Sequence, residues 1–271
     1  MSSCATYLDD IVAWHRRRAA ADIREVAALR ERVVAQREAR IIGSTGRSFT
    51  SALTTTNQLA VIAEIKRRSP SKGDLDGLLN PAVVAHEYER GGAACLSVLT
   101  DAQHFGGSAD DLRAARAAVS LPVLRKDFVV SEVDILDAVL MGADAVLLIV
   151  AALTDAELRS LHALATDCDL AALVEVHDEA ELDRALAVGA RVVGVNQRDL
   201  RTFDVDVHRA ERVAARIPGG VVAVAESGIT SRADAQRCAA AGYRAVLVGE
   251  HLVRSVDRAK SVSELRVALP S

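Results

Sequence analysis

From residue 59 onward the chain repeats one pattern: a short β-rich run, then a helical stretch, then another run. The runs cover 59–66, 94–100, 122–126, 145–150, 170–176, 191–196, 221–225 and 245–249. Several are apolar on both faces, as strands must be when both faces are covered. Stretches 109–119, 132–140, 155–166, 178–188 and 232–241 carry the Ala, Leu, Arg and Asp composition of helices between them. Such alternation imposes parallel βαβ units with right-handed crossovers. Gly92, Gly142, Gly189 and Gly242 each end a helix and open the next run, recurring roughly every 50 residues, the length of about two βα units. Eight strands predict an α/β fold, a closed (β/α)8 TIM barrel with its site at the C-terminal strand ends. A doubly wound open sheet is the alternative. It would carry Gly-x-Gly-x-x-Gly after the first strand, where this chain has Lys66-Arg-Arg-Ser-Pro-Ser-Lys-Gly73.

Residues 5–40 read as helix, with Leu8, Ile11, Val12 and His15 at helical spacing. Residues 43–56 read as a loop whose Phe49 and Leu53 pack a turn onto the body. The expected organisation is a helical extension and loop over the barrel mouth (1–58) and the barrel (59–271), together one structural domain. The 271 residues, half of them apolar, suffice for a large core. A net charge of -4 and 3% aromatics leave no footprint for nucleic acid or an anionic membrane. No His or Cys spacing matches a metal site, so none is expected. The cysteines at 4, 95, 168 and 238 form no Cys-x-x-Cys pair and read as free thiols. There is no secretory apolar segment, and the longest apolar run is about half a membrane span. A soluble, cytoplasmic protein is expected.

Charge then appears where a barrel strand should be apolar. The first run ends Glu64-Ile-Lys66, two charges on one face of a strand. Others end Arg125-Lys-Asp-Phe128, Glu175-Val-His177, Asn196-Gln-Arg-Asp199 and Glu226-Ser-Gly228. Burying an unpaired charge costs several kcal/mol. One reading is a structural salt-bridge layer at the barrel mouth. The other is a ring of acid–base groups around a substrate, with pKa values shifted by burial and by one another. The loops after the seventh and eighth runs, with Gly228 and Gly249, suit a phosphate held by backbone N–H groups. Glu250 would then contribute its N–H while its side chain points away. His177 reads as a neighbour of a helix start capped by Asp178, and Tyr7 and Trp14 read as packing residues.

An ordered series of motifs runs through the chain: Ile62-Ala-Glu-Ile-Lys-Arg-Arg-Ser-Pro-Ser-Lys-Gly73, Leu99-Thr-Asp with Phe105-Gly-Gly-Ser, Leu121-Pro-Val-Leu-Arg-Lys-Asp-Phe128 and Ala145-Val-Leu-Leu-Ile-Val150. It continues through Leu173-Val-Glu-Val-His177, Gly194-Val-Asn with Arg198-Asp-Leu, Ala225-Glu-Ser-Gly-Ile229 and Val246-Leu-Val-Gly-Glu250. In these motifs nearly the whole chain resembles the indole-3-glycerol-phosphate synthase family. The chain departs from the family pattern at Gln197, Tyr243 and His251.

The resemblance implies conversion of 1-(2-carboxyphenylamino)-1-deoxyribulose 5-phosphate to indole-3-glycerol phosphate in tryptophan biosynthesis, with no cofactor. It implies Lys126 as general acid, Glu175 as acid–base residue of the dehydration, and Lys66 with Glu64 as the pair that meets the substrate carboxylate. Asn196 and Glu226 would orient the lysines and bind sugar hydroxyls. Ser69, Arg198 and Ser227 would contact substrate. Phe105, Phe128, Leu147, Ile149 and Leu200 would form the aromatic slot, and Gly228, Gly249 and Glu250 the phosphate loops. The expected partner is this sugar phosphate alone. The chain would be a monomer or weak homo-oligomer, open to non-covalent contact with pathway neighbours. Rival readings are an Amadori-type isomerase or cyclase, a Schiff-base aldolase using Lys126, and a non-catalytic barrel.

Overall fold

The computed structural model describes residues 6–43, 47–69, 73–198 and 206–270. Its core is a ring of parallel strands: β1 (Ala60–Ile65), β2 (Cys95–Leu99), β3 (Val123–Lys126), β4 (Ala145–Ile149), β5 (Ala171–Val176), β6 (Val192–Asn196), β7 (Val222–Glu226) and β8 (Ala245–Val248). Each strand pairs with the next, and β8 returns to β1 through Ala60 opposite Ala245 and Ala63 opposite Val248. The ring is closed, which excludes the open-sheet alternative. Every predicted run coincides with a strand to within a residue or two at each end.

The helices in chain order are α1 (Tyr7–Ala20), α2 (Val26–Gly43), α3 (Phe49–Ala52), α4 (Pro81–Arg90), α5 (Ala102–Phe105), α6 (Ala109–Ala118), α7 (Glu132–Met141), α8 (Asp155–Asp167), α9 (Glu179–Ala187), α10 (Val207–Ala214), α11 (Arg232–Ala240), α12 (Glu250–Val253) and α13 (Arg258–Leu265). Most of their starts are sharp because short polar side chains take up the free N–H groups of the first turn, as at α4, α6 and α9. Ser131 and Thr154 do so reciprocally with Asp134 and Glu157, two residues that reach back to the cap N–H. The repeating glycines are left-handed where helices end, with φ of 84° at Gly92 and 91° at Gly142, a conformation that glycine adopts without steric cost.

Strand side chains alternate between faces. Val61, Ala63 and Ile65 of β1 point outward into the apolar layer under the helices. Ala60 and Ile62 point into the barrel, where Cys95, Leu124, Leu147, Leu173 and Val224 fill the interior. The turn built on α3 presses Phe49 and Leu53, each 1% exposed, against this interior cluster near the start of the strands. The expected packing role of those two residues thus becomes a plug in the N-terminal end of the barrel.

The amino-terminal stretch is two helices, where one continuous helix was expected. At the break, the Asp22 carboxylate accepts the Arg24 backbone N–H at 2.9 Å. That local bond gives the backbone an alternative to the helical ladder. Arg24 also bridges Asp22 and Asp137 of α7, which fixes the turn against the barrel.

Candidate active site

The inward positions at the C-terminal strand ends hold Glu64, Lys126, Glu175, Asn196 and Glu226 in a layer above the apolar interior. They line a cavity of about 720 Å³. Register accounts for their meeting: Asn196 stands opposite Glu226, and Leu99 opposite Lys126. Two residues beyond Glu64, Lys66 folds back so that its Nζ lies 2.7 Å from the Glu64 carboxylate. Lys126 Nζ lies 3.7 Å from Glu175. Asn196 donates through Nδ2 to Glu175 at 3.2 Å, while its Oδ1 accepts from Ser227 Oγ at 2.9 Å and from the Arg198 N–H at 3.0 Å. Those two donors fix which way the amide faces. Ser227 is left-handed, with φ of 66°, a strained state for a side-chain-bearing residue that tends to be kept at functional sites.

Two glycines make room for the carboxylates. A Cβ on Gly249 would lie 2.2 Å from Glu64 Oε1, and one on Gly194 would lie 2.0 Å from Glu226 Oε1. Any side chain at either position would displace a carboxyl group of the site.

The buried charges set one another's protonation. Burial pulls Lys126 down, but Glu175, Glu226 and Glu64 together outweigh it, so its ammonium is held above the usual lysine range. Burial raises Glu64, yet Lys66 and Lys126 bring it below the ordinary carboxyl value. Glu226 goes the other way: burial and the adjacent Glu175 charge raise it well above the carboxylate range, against the pull of Lys126. Oε2 of Glu175 and Oε1 of Glu226 are both buried with no hydrogen-bond partner among the described residues. A proton carried by Glu226 accounts for these two facts, since one of two neighbouring buried carboxyls stays neutral.

Phe105 and Phe128 stand on one side of the cavity with ring centroids 6.1 Å apart. Leu99 and Ile149 extend that apolar wall, and α1 adds Tyr7, Leu8 and Ile11. Ser227, Gly228, Gly249, Glu250 and Arg254 form the opposite, polar end, and Ser69 and Arg198 also reach the cavity. A charged acid–base layer between an apolar slot and a polar, glycine-bearing end suits an aryl group joined to a phosphorylated sugar.

The family model described as Indole-3-glycerol phosphate synthase matches residues 15–265. The chain belongs to this family. An indole-3-glycerol phosphate synthase of a Nocardioides species is 55% identical over 198 residues, covering 73% of this chain and 76% of that protein. One from a Polaromonas species is 45% identical over 263 residues, covering 95% and 97%. Indole-3-glycerol phosphate synthase 2 of Streptomyces coelicolor is 53% identical over 219 residues, covering 81% and 84%. Among solved structures, a thiamine phosphate pyrophosphorylase from Pyrococcus furiosus superposes with a TM-score of 0.57 at 16% identity, covering 77% of this chain and 94% of that one. That likeness concerns the fold alone.

Of the residues singled out in the sequence, Glu64, Lys66, Ser69, Phe105, Lys126, Phe128, Ile149, Glu175, Asn196, Arg198, Glu226, Ser227, Gly228, Gly249 and Glu250 all line the one cavity. Leu147 does not reach it: it is 2% exposed and packs in the barrel interior beneath the charged layer. Leu200 lies outside the described residues. Tyr7 stands in the cavity wall, where a packing role alone was expected, and Leu8, Ile11, Thr230, His251 and Arg254 join it. Nothing local in the sequence places them in the cavity wall, because they arrive by the docking of α1 and by loops.

His15, Asp101 and His104 also come together, with ligand-type atoms within 4.8 Å of one another. Residue spacing did not reveal this group. Asp101 Oδ2 lies 2.9 Å from His15 Nε2 and 2.8 Å from His104 Nδ1, so both contacts are satisfied as hydrogen bonds. Cys95, Cys168 and Cys238 are free and buried. Among the described residues, no helix is long and apolar enough to cross a membrane.

Proposed function

We propose that the cavity closes, decarboxylates and dehydrates 1-(2-carboxyphenylamino)-1-deoxyribulose 5-phosphate to indole-3-glycerol phosphate, the activity of the family. The observation that carries the assignment of roles is Lys126: a partly buried ammonium, set among carboxylates, at the floor of a cavity with one apolar and one polar end. The aryl group lies between Phe105, Phe128 and Ile149, and the phosphate meets Ser227, Gly228, Gly249 and the Glu250 N–H near Arg254. Lys66, backed by Glu64, faces the carboxylate. Ser69 and Arg198 contact the substrate.

Held at both ends, the substrate has its ring carbon pressed against the ketone, which replaces a diffusive encounter by a positioned one. Lys126 protonates the ketone oxygen as the carbon–carbon bond forms, stabilising the charge that develops there. Loss of CO₂ restores the ring. Glu175 then moves the protons of the dehydration, with Asn196 and Glu226 fixing its orientation and charge.

The test is growth of indole fluorescence from the purified protein and this substrate, with EDTA present. Wild-type turnover is expected, with Lys126→Ala slower by about a hundredfold or more. A folded wild type that forms no indole removes the reaction. Full turnover by Lys126→Ala keeps the reaction and removes the assigned acid. Trapping of substrate on Lys126 by borohydride would favour Schiff-base chemistry instead.

A further inference from the structure

The proposed reaction consumes a proton. The substrate carboxylate leaves as neutral CO₂, so carboxylate substrate plus one H⁺ gives indole product, CO₂ and water. In detail, the ketone oxygen takes one proton and the departing hydroxyl takes a second. The C–H beside the ring nitrogen gives one back. Each turnover therefore draws one proton from solvent into a site that substrate occupies.

A second cavity, of about 300 Å³, lies beside the first, and among the described residues the two share only Leu8 in their walls. Its wall is polar, with Asp9, Glu179, Glu181, Arg209 and Arg212. His177, at the exit of β5, lines this second cavity, whereas Glu175 lines the active site. Between the cavities, His177 Nε2 lies 3.7 Å from Glu175 Oε1, and that nitrogen is buried with no hydrogen-bond partner among the described residues. The ring is held from behind. Glu181 Oε2 accepts the His177 backbone N–H at 2.8 Å and lies 3.0 Å from Nδ1. Glu181 is fixed in turn at the capped start of α9, where Asp178 accepts its N–H at 2.8 Å. With Nδ1–H directed at Glu181, a neutral ring would set the Nε2 lone pair against the Glu175 carboxylate. A proton on Nε2 turns that repulsion into attraction. Burial disfavours the charged ring, but the hydrogen bond to Glu181 and the charges of Glu175 and Glu181 outweigh it, against Arg209 of α10, and His177 is held above its ordinary value.

We propose that His177, positioned by Glu181, is the proton inlet of the active site, passing protons from the second cavity to Glu175. The role rests on the reaction proposed above. The Nε2–H bond breaks as an O–H bond forms on Glu175 Oε1. The neutral ring then turns toward the second cavity, where water restores the proton to Nε2. His177 acts only through Glu175 and is a positioning and relay residue.

The experiment is single-turnover indole formation with enzyme in excess, in weakly buffered medium, for wild type, His177→Ala, His177→Gln and Glu181→Gln. His177→Ala is expected to be about tenfold slower, with the enzyme concentration that gives the half-maximal rate within about twofold of wild type. Added imidazole should restore its rate while leaving wild type unchanged. His177→Gln places a neutral amide beside Glu175 but carries no titratable proton; it should be as slow, with a wild-type urea midpoint. Glu181→Gln removes the charge that favours the imidazolium, so the alkaline limb of its rate profile should move to lower pH. Wild-type rates in His177→Gln, or a slow His177→Ala that imidazole does not accelerate, overturn the relay alone. Absence of turnover by wild type overturns the reaction and the relay together.

Discussion

Adjacent residues on β3 separate chemistry from stability. Lys126 points into the cavity, and Arg125 points outward and is 2% exposed. Arg125 donates to Asp127 at 2.7 Å, to Thr100 at 3.0 Å and to the Asp134 carbonyl at 2.6 Å. Asp127→Ala would leave that guanidinium buried without its counter-charge, so a loss of about 3–5 kcal/mol in urea denaturation is expected. A smaller loss than that of an exposed ion pair would mean that Arg125 finds other compensation. Glu226 makes a pH-dependent prediction. Its folded pKa lies above its unfolded one, so the folded state holds the extra proton between the two values. Stability is then full below the unfolded pKa, near 4.5, and falls as pH rises toward the folded one. Glu226→Gln removes this slope, and its stability relative to wild type should increase from acid to neutral pH. Parallel stability–pH curves for the two proteins would refute a neutral Glu226. The sequence exposes such residues because a charge in an apolar strand is conspicuous. It does not say which are paired for structure: Arg125 and Lys126 look alike until strand alternation is fixed to a barrel. Leu147 fails for the same reason, facing inward one layer too low.

At the level of elements, α1 is the piece that spacing described least well. Its apolar positions predict a helix with a packing face, and Leu8, Ile11 and His15 are indeed buried. The helix end near residue 20 follows from an Asp22–Arg24 contact that carries no hydrophobic period. The docking of α1 depends on residues far along the chain. His15 meets Asp101 in the loop after β2, Trp14 stands edge-on to His104 at 5.5 Å, and Arg16 pairs with Glu157 of α8 at 2.6 Å. Only the folded barrel brings those partners together, so the share of α1 in the cavity wall is invisible in the linear order. His15→Ala removes the buried partner of Asp101 and should cost about 1–3 kcal/mol. Because Tyr7, Leu8 and Ile11 line the cavity, KM should also rise more than kcat falls. Amide exchange across α1 together with steady-state kinetics checks both effects. Unchanged protection of α1 would place its anchoring in the Arg16–Glu157 and Arg18–Asp134 pairs instead.

Across the whole molecule, the two ends of the barrel carry different burdens. The C-terminal end gathers buried charges that oppose folding unless each is paired, and it leaves a cavity above them. The N-terminal end is closed by apolar packing: Phe49 and Leu53 sit against Ala60, Ile62 and Cys95, and Arg244 ties the plug by donating to the Thr56 carbonyl at 3.1 Å. The eight runs were legible because strands covered on both faces must be apolar throughout. The plug was legible only as two apolar residues in a polar loop. Its role depends on barrel closure, which makes an opening for them to fill. If the plug serves stability and the charged layer serves chemistry, the two should separate under mutation. Leu53→Ala empties a fully packed position, and the expected loss is about 2–5 kcal/mol with kcat/KM within about twofold of wild type. Urea midpoints and indole-forming rates measured on one preparation make the comparison. A large fall in kcat/KM at temperatures where the variant is fully folded would show that strain travels along the strands from plug to site, and that the interior layers between them act as one body.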